Sequence, residues 1–160
     1  MLNCSLKPLA LVLLFSLMLA LQACSDDAES PEQAIRAFID NAADAGERRS
    51  ADELAEFLHH GFVDEQGRNR GEIEKLLRLY FFRHKNIHLF TRIDEIEILA
   101  ENQANVNLHV AMAGSAISDV TAIASLRAQI YRFELELVKQ SDEWQLRQAA
   151  WAPASIGDLQ

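Results

Sequence analysis

The chain has 160 residues and a formal net charge of −9, from 24 acidic and 15 basic side chains. This length fits a single domain, and a net acidic chain is a poor candidate for a nucleic-acid-binding protein.

The N-terminal residues 1–23 have the composition of an export signal. Lys7 is their only charge, and the apolar run after it has about 13 residues, fewer than the roughly 20 that a membrane-spanning helix needs. The run ends in Leu21-Gln22-Ala23-Cys24, which resembles a bacterial lipobox, where a peptidase cuts before the cysteine and the thiol carries a lipid. A plain secretory peptide and a membrane helix are the alternative interpretations.

The lipobox resemblance implies a signal peptide over 1–23 and a lipidated tether over 24–30. The helices and strands described below predict a domain over 31–153 and a tail over 154–160. Cys24 would then anchor the chain to the membrane on the periplasmic side of the cell envelope. Ser25 follows the cysteine where an aspartate would signal inner-membrane retention, which favours the outer membrane.

Loss of Cys4 with the signal and lipidation of Cys24 would leave no cysteine for a disulfide, for thiol redox chemistry or for a metal site. Loss of Lys7 would leave 14 basic against 24 acidic residues, a net charge of −10. This net charge argues against electrostatic binding to anionic lipid, so the lipid anchor would hold the domain at the membrane.

Three helices are predicted in the first half of the mature chain. Ser30 as the N-cap, with Pro31 and Gln33 after it, begins a helix that ends at Gly46. A short second helix begins at Ser50 and ends before the histidine pair 59–60. A tiny strand or turn follows at 62–65, and a third helix runs from 69 to about 83, with its apolar residues at helical spacing.

Alternation of apolar residues predicts four strands after the helices. They cover about 87–98, 104–112, 131–137 and 144–153. The alternation slips by one residue at Asp94-Glu95, which predicts a β-bulge that bends the first of these strands. Residues 114–125 are predicted as a long hairpin loop or a short helix.

Three helices followed by a bent antiparallel meander predict an α+β domain. The order of these elements resembles the nuclear transport factor 2-like superfamily, which includes ketosteroid isomerase-like and polyketide cyclase-like proteins. The resemblance lies in architecture and spacing across essentially the whole mature chain, and it also extends to uncharacterised lipoproteins of that group. It implies a cone-like, cystatin-like fold, in which a strongly curved sheet wraps the helices around a pocket.

The resemblance implies that an acid or base could stand inside the cone, where burial tunes its pKa. Asp64, on the short strand, is the candidate carboxylate, and a charge partner of Arg68 or Arg70 is the structural alternative. Tyr80 and Tyr131 lie on predicted inward faces, where they would either orient a ligand or belong to the core.

The outward sheet face is predicted as a possible homodimer interface, because exposed aromatic residues stand among alternating charges there. Its residues are Phe90, Arg92, His109, Arg132, Glu134, Arg147 and Trp151. His109 shares this face with Asn105 and Asn107, and is expected to be exposed. The basic middle of the chain, from Arg68 to Arg92, would either hold an anionic group or form a solvated helix face.

No group of reactive side chains in the sequence indicates a particular reaction. The five histidines lack ligand spacing, so neither a metal site nor a cofactor is predicted. The sequence therefore predicts a lipid-anchored binding module rather than an enzyme, which holds a small apolar or amphipathic ligand or a partner protein. An isomerase, dehydratase or cyclase using Asp64 with a tyrosine, and a non-catalytic envelope assembly subunit, are the alternatives.

Overall fold

The computed structural model describes residues 30–126 and 128–159, with the side chain of residue 124 left out. The predicted signal segment, Cys24 and Ser25 lie outside these residues. The helices are α1 (Pro31–Glu47), α2 (Ala51–Glu56), α3 (Arg70–Arg83) and α4 (Val120–Leu126). The strands are β1 (Leu58–Asp64), β2 (His88–Ala100), β3 (Gln103–Ala113), β4 (Gln129–Gln140) and β5 (Glu143–Pro153), and a 3-10 helix covers Ile156–Leu159.

Two helix starts follow the capping chemistry that the sequence predicted. The Ser50 side chain accepts a hydrogen bond from the backbone N–H of Glu53 at 3.3 Å. Asn69 and Glu72 form a reciprocal capping box, since each side chain accepts from the other's backbone N–H, at 3.2 and 2.9 Å. These bonds satisfy N–H groups that have no partner within the helix.

The strands form one curved, open sheet in the order β1-β5-β4-β3-β2. β2 to β5 make an antiparallel meander, and β1 joins its far edge parallel to β5. The register of β2 against β3 shifts between Ile93 and Glu95, which confirms the predicted bulge. The α+β class and the cone-like, cystatin-like architecture predicted from the sequence are confirmed.

Side chains on the inner face of the sheet form the main core with α1. Ile35, Phe38 and Ile39 of α1 pack on the inward residues of the strands, among them Val106, Leu137 and Trp144. A second cluster joins β1 to α3 through Phe62 and Ile73. Burial of these apolar surfaces is the main stabilising contribution to such a fold.

A third hydrophobic cluster lies on the outer face of the sheet. Ala111 and Ile130, which pair across β3 and β4, are covered by Ile123 of α4 and by Leu159 of the 3-10 helix. The segment 114–125, left open between a loop and a helix, thus ends in a helix. The residues predicted as a C-terminal tail pack against the sheet as far as Leu159, because Leu159 fills an apolar site there.

One local prediction was wrong. His59 and His60 were expected at a helix C-terminus, but they lie within β1, which has seven residues rather than a tiny strand or turn. His59 is buried, and its Nδ1 accepts a hydrogen bond from the backbone N–H of Gly61 at 3.1 Å. Pairing with β5 extends the strand, an interaction that no local sequence signal reveals.

Candidate functional site

Four half-buried aromatic side chains lie on the inner face of the sheet, where Phe133 packs against the α1 core and Trp151 against the β1–α3 cluster. This inner aromatic face consists of Tyr80 of α3, Tyr131 and Phe133 of β4, and Trp151 of β5. Phe133 and Trp151 pair across the strands with their ring centroids 6.0 Å apart. Large aromatic surfaces that keep part of their area exposed on a concave face are what a binding site for an apolar molecule requires.

Contacts with His84 and with β3 fix the position of Tyr80. Its ring stacks on that of His84 one helical turn later, with centroids 4.2 Å apart, and its hydroxyl lies 4.0 Å from Sδ of Met112 in β3. Burial raises the pKa of Tyr80, and the nearby Tyr131 raises it further. The Tyr80 phenol therefore keeps its proton at neutral pH and can donate a hydrogen bond to a ligand oxygen.

Asp64 is buried at the end of β1, with its side chain 0% exposed. Oδ1 accepts from the backbone N–H groups of Gln66 and Arg68 at 3.0 and 2.7 Å, and Oδ2 accepts from Nε of Arg68 at 2.6 Å. Burial alone would raise the pKa of Asp64, but the hydrogen bonds and charge of Arg68 lower it overall. The geometry favours the alternative role of Asp64 as a charge partner for Arg68 rather than as a base.

Arg68 connects the Asp64 turn to the inner aromatic face. Its guanidinium carbon lies 5.1 Å from the ring centroid of Trp151, within cation–π distance. Tyr80 and Tyr131 are thus brought together, whereas no hydrogen bond or ion pair within residues 30–126 and 128–159 joins Asp64 to either tyrosine. Trp151, expected on the outward face, points inward because it shares its strand alternation with Ala149 of the β1–α3 cluster.

The outer face carries a charged cluster around His109. Nδ1 of His109 lies 2.6 Å from Oδ2 of Asp94, and Arg92 donates to Oδ1 of the same aspartate at 3.0 and 2.7 Å. Arg92 also donates to the backbone oxygen of Asp158 in the 3-10 helix at 2.6 Å. The expectation that His109 is exposed was wrong: it is buried, because the bulge brings Asp94 over its ring.

The other residues predicted for a subunit interface have different surroundings. Phe90 packs into the third cluster, beneath α4. Arg132 and Glu134 are exposed and form an ion pair of 3.0 Å with each other. Arg147 is exposed and approaches the β1 residues Gly61 and His59. Part of the predicted interface is therefore covered by the chain itself, and the homodimer stays a prediction.

Sequence reasoning missed two contributors to the inner aromatic face, His84 and Met112. His84 stands four residues after Tyr80, the spacing at which side chains stack along a helix, so helical spacing was an available signal. Met112 continues the inward alternation of β3, but only the tertiary structure shows that it meets α3.

The described part of the chain, residues 30–126 and 128–159, contains neither a metal-binding cluster nor a membrane-spanning helix. There, no group of three or more His, Cys, Asp or Glu side chains could hold a metal ion. Over the same residues, no helix combines the length and the apolar character that crossing a bilayer demands.

Comparisons with known proteins show which solved structures share this fold. No protein-family model matches the chain, and no curated protein matches it by sequence. A scytalone dehydratase-like protein from Novosphingobium aromaticivorans superposes with a TM-score of 0.64 at 15% identity, over 78% of this chain and 84% of that one. An NTF-2 like protein of unknown function from Shewanella oneidensis gives 0.56 at 17% identity, over 76% and 98%.

A larger structure is similar over part of its length. Bd1075 of Bdellovibrio bacteriovorus superposes with a TM-score of 0.60 at 14% identity, over 77% of this chain but only 40% of that protein. At such identities the likeness concerns the fold alone. The chain thus has the fold of the nuclear transport factor 2-like superfamily, as its order of elements predicted.

Proposed function

We propose that this chain is a lipid-anchored domain of the bacterial cell envelope that binds a small apolar or amphipathic ligand on the inner aromatic face. The observation that carries the proposal is the half-buried set of Tyr80, Tyr131, Phe133 and Trp151 on the concave side of the sheet. The anchor rests on the lipobox-like sequence at Cys24, and the outer-membrane location rests on Ser25.

The lining divides into an apolar and a polar part. The rings of Phe133 and Trp151 offer contact surface to an apolar body, since each aromatic ring buries a large area at small entropic cost. The hydroxyl of Tyr80, which keeps its proton, would donate to an oxygen at the polar end of the ligand. An elongated molecule with one hydrogen-bond acceptor fits this division best.

Tryptophan fluorescence tests the site, because the chain has only two tryptophans. Trp144 is buried in the α1 core, whereas Trp151 lies on the inner aromatic face. The three hydrophobic clusters of the described residues lie after Pro31, so a chain beginning at Ser25 keeps all of them. Titration with fatty acids, sterols and aromatic ketones should produce a saturable change in emission.

The matched variants are W151F and Y80F. W151F should abolish the emission change and keep the fold, and Y80F should weaken binding by about 0.5–1.5 kcal/mol through loss of one hydrogen bond. An emission change that persists in W151F, or that no ligand class produces, would contradict binding at this face.

A second candidate is an enzyme of the isomerase or dehydratase kind. The fold similarity to the scytalone dehydratase-like protein supports this candidate, and the polarising donor would be Tyr80 or Tyr131. Asp64 could serve as the base only if its contacts to Arg68 open. The chain would then catalyse deuterium uptake from D2O next to the carbonyl of a bound ketone, observed by NMR, and a Y80F/Y131F double variant, which keeps the Asp64–Arg68 pair, would slow it. No uptake with any bound ketone would remove this candidate.

The third candidate is a non-catalytic assembly subunit of the envelope, with the outer sheet face as its contact surface. Arg132 and Glu134 remain exposed there among the residues predicted for an interface. Sedimentation of the chain beginning at Ser25 tests the homodimer. A concentration-dependent dimer that R132E disrupts would support it, and a monomer at high concentration would count against it.

A further inference from the structure

A basic cleft of about 450 Å³ lies between the α1–α2 turn and α3. Its lining residues are Arg48, Arg49, Ser50, Ala51, Asp52, Arg78 and Phe81. Three guanidinium groups and one carboxylate therefore surround a space large enough for a small organic anion. We call it the arginine cleft.

Arg49 is held in a backbone conformation that disfavours it. Its φ of 58° lies in the left-handed region, which disfavours a residue with a side chain relative to glycine. Its N–H donates to the carbonyl of Gly46 as the chain leaves α1, a position that glycine usually occupies. Within the part of the chain that the structure describes, Arg49 has no acidic partner. Its guanidinium is therefore available to an anion in the cleft.

Arg48 and Arg78 are oriented by carboxylates without being saturated by them. Arg48 binds Glu53 through Nε and Nη2. Arg78 reaches Asp52 and Glu74 through Nη2 alone, and both arginine side chains are 58% exposed. A guanidinium carries five N–H donors in a planar fork, so each arginine keeps donors for a further anion.

The remaining lining residues narrow the class of anion. Phe81 adds one apolar wall to the cleft. Planar forks match the oxygen geometry of phosphate and give charge-assisted hydrogen bonds. We propose that the arginine cleft binds a phosphate monoester whose apolar group rests against Phe81. This site is separate from the inner aromatic face and does not depend on the ligand proposed there.

The test uses the full lipidated chain in phosphatidylcholine nanodiscs at low ionic strength, with phenyl phosphate and inorganic phosphate as the probes. Calorimetric titration should show saturable binding, tighter for phenyl phosphate. R49G should weaken binding about tenfold by removing the unpaired guanidinium. Its thermal midpoint should equal or exceed that of the wild-type chain, because glycine suits a positive φ. Binding loss would then not reflect unfolding.

The charge-matched control is R36A, which removes an exposed arginine paired with Glu32 on α1, outside the cleft. It should change the affinity less than about twofold, since exposed charges are screened at a distance. F81A should remove the preference for phenyl phosphate. Equal losses in R49G and R36A, no saturable binding, or a phenyl preference that survives F81A would overturn the proposal.

A soluble ester and a lipid headgroup carry the same phosphate chemistry, and nanodisc composition distinguishes them. Weaker phenyl phosphate binding in discs doped with phosphatidic acid, relative to discs doped with phosphatidylserine, supports a headgroup that competes for the cleft. Equal binding in the two kinds of disc, with R49G still defective, supports a soluble ester.

Discussion

His109 and Asp94 meet on the outer face of the sheet, with Nδ1 2.6 Å from Oδ2, because the β2 bulge displaces Asp94 toward β3. His109 is only 7% exposed, so its ring has little access to water. The contact ties the bulge to the strand beside it. With Arg92, which binds both Asp94 and the backbone of Asp158, it also ties the sheet to the 3-10 helix.

D94A should therefore destabilise the chain by about 1–3 kcal/mol, because a buried polar group loses its partner. Urea unfolding followed by circular dichroism measures the difference. E134A is the matched control: Glu134 forms an ion pair with Arg132 but has a side chain that is 57% exposed, and its loss should cost less than about 1 kcal/mol. Equal effects of the two substitutions would contradict the role given to the His109 contact.

The Asp64–Arg68 pair predicts a dependence of stability on pH. The pKa of Asp64 is lower in the folded chain than in the unfolded one, so its contribution is complete above the unfolded pKa of about 3.9 and is lost as pH falls through the folded pKa. Below about pH 4 the wild-type chain should thus lose more stability than D64N. Unfolding midpoints across pH 2.5–7, an interval set to span the carboxylate range of about 3–5, test this.

The same substitution predicts a large loss at neutral pH. D64N leaves Arg68 without its buried counter-charge, and breaking such a pair costs about 3–5 kcal/mol. R132A supplies the control, because Arg132 and Glu134 form an exposed pair. A D64N chain as stable as R132A would show that the Asp64 turn is not a structural support of β1.

His59 predicts a second pH effect, at higher pH. Burial lowers its pKa, and the charges of His60 and Arg147 lower it further. The folded chain thus disfavours the charged imidazole. Its stability is therefore highest above the unfolded pKa of about 6.5, where the ring is neutral in both states. Stability falls as pH drops toward the folded pKa, because the unfolded chain binds the proton more readily. R147Q should raise the pKa of His59, measured by NMR titration of the imidazole protons. An unchanged pKa would contradict the contact between the two side chains.

Cys24 predicts a covalent modification. Mass spectrometry of the mature chain should show an N-terminus at Cys24 that carries lipid, and labelled palmitate should enter the wild-type chain. C24S should incorporate no label and should be released from membranes, while its core stays folded. A C24S chain that still partitions with membranes, or that is labelled like wild type, would overturn the anchor assignment.

Local patterns predicted much of the fold, because they are written into short stretches of sequence. Asn69 and Glu72 satisfy each other across three residues, and the slip at Asp94-Glu95 is visible as a break in alternation. Such signals depend only on residues that are close together in the sequence. Errors arose where a distant strand decides the outcome: Leu58 and Val63 pair with β5 on either side of His59 and His60, which therefore lie within a strand rather than at a helix end.

The candidate site was predictable only in part. The sequence predicted that Tyr80 and Tyr131 point inward, since the periodicity of helices and the alternation of strands indicate which side chains share a face. Trp151 was placed on the wrong face, because the shift in register between β4 and β5 at Glu136 and Leu137 was not visible in the sequence. The arginine cleft joins residues about 30 positions apart, and only the packing of α2 on α3 brings them together.

We expect the β2 bulge to limit aggregation of the protein as well. β2 is 13 residues long and lies at an open edge of the sheet, where a row of unpaired backbone groups invites another chain to add a strand. Ile98 and Leu99 leave apolar side chains exposed on this strand. The bulge interrupts the row of backbone groups at Asp94, and Arg92, Glu95 and Glu97 supply charges beside it. A substitution that straightens β2 would therefore favour fibril formation even where it leaves the folded monomer stable.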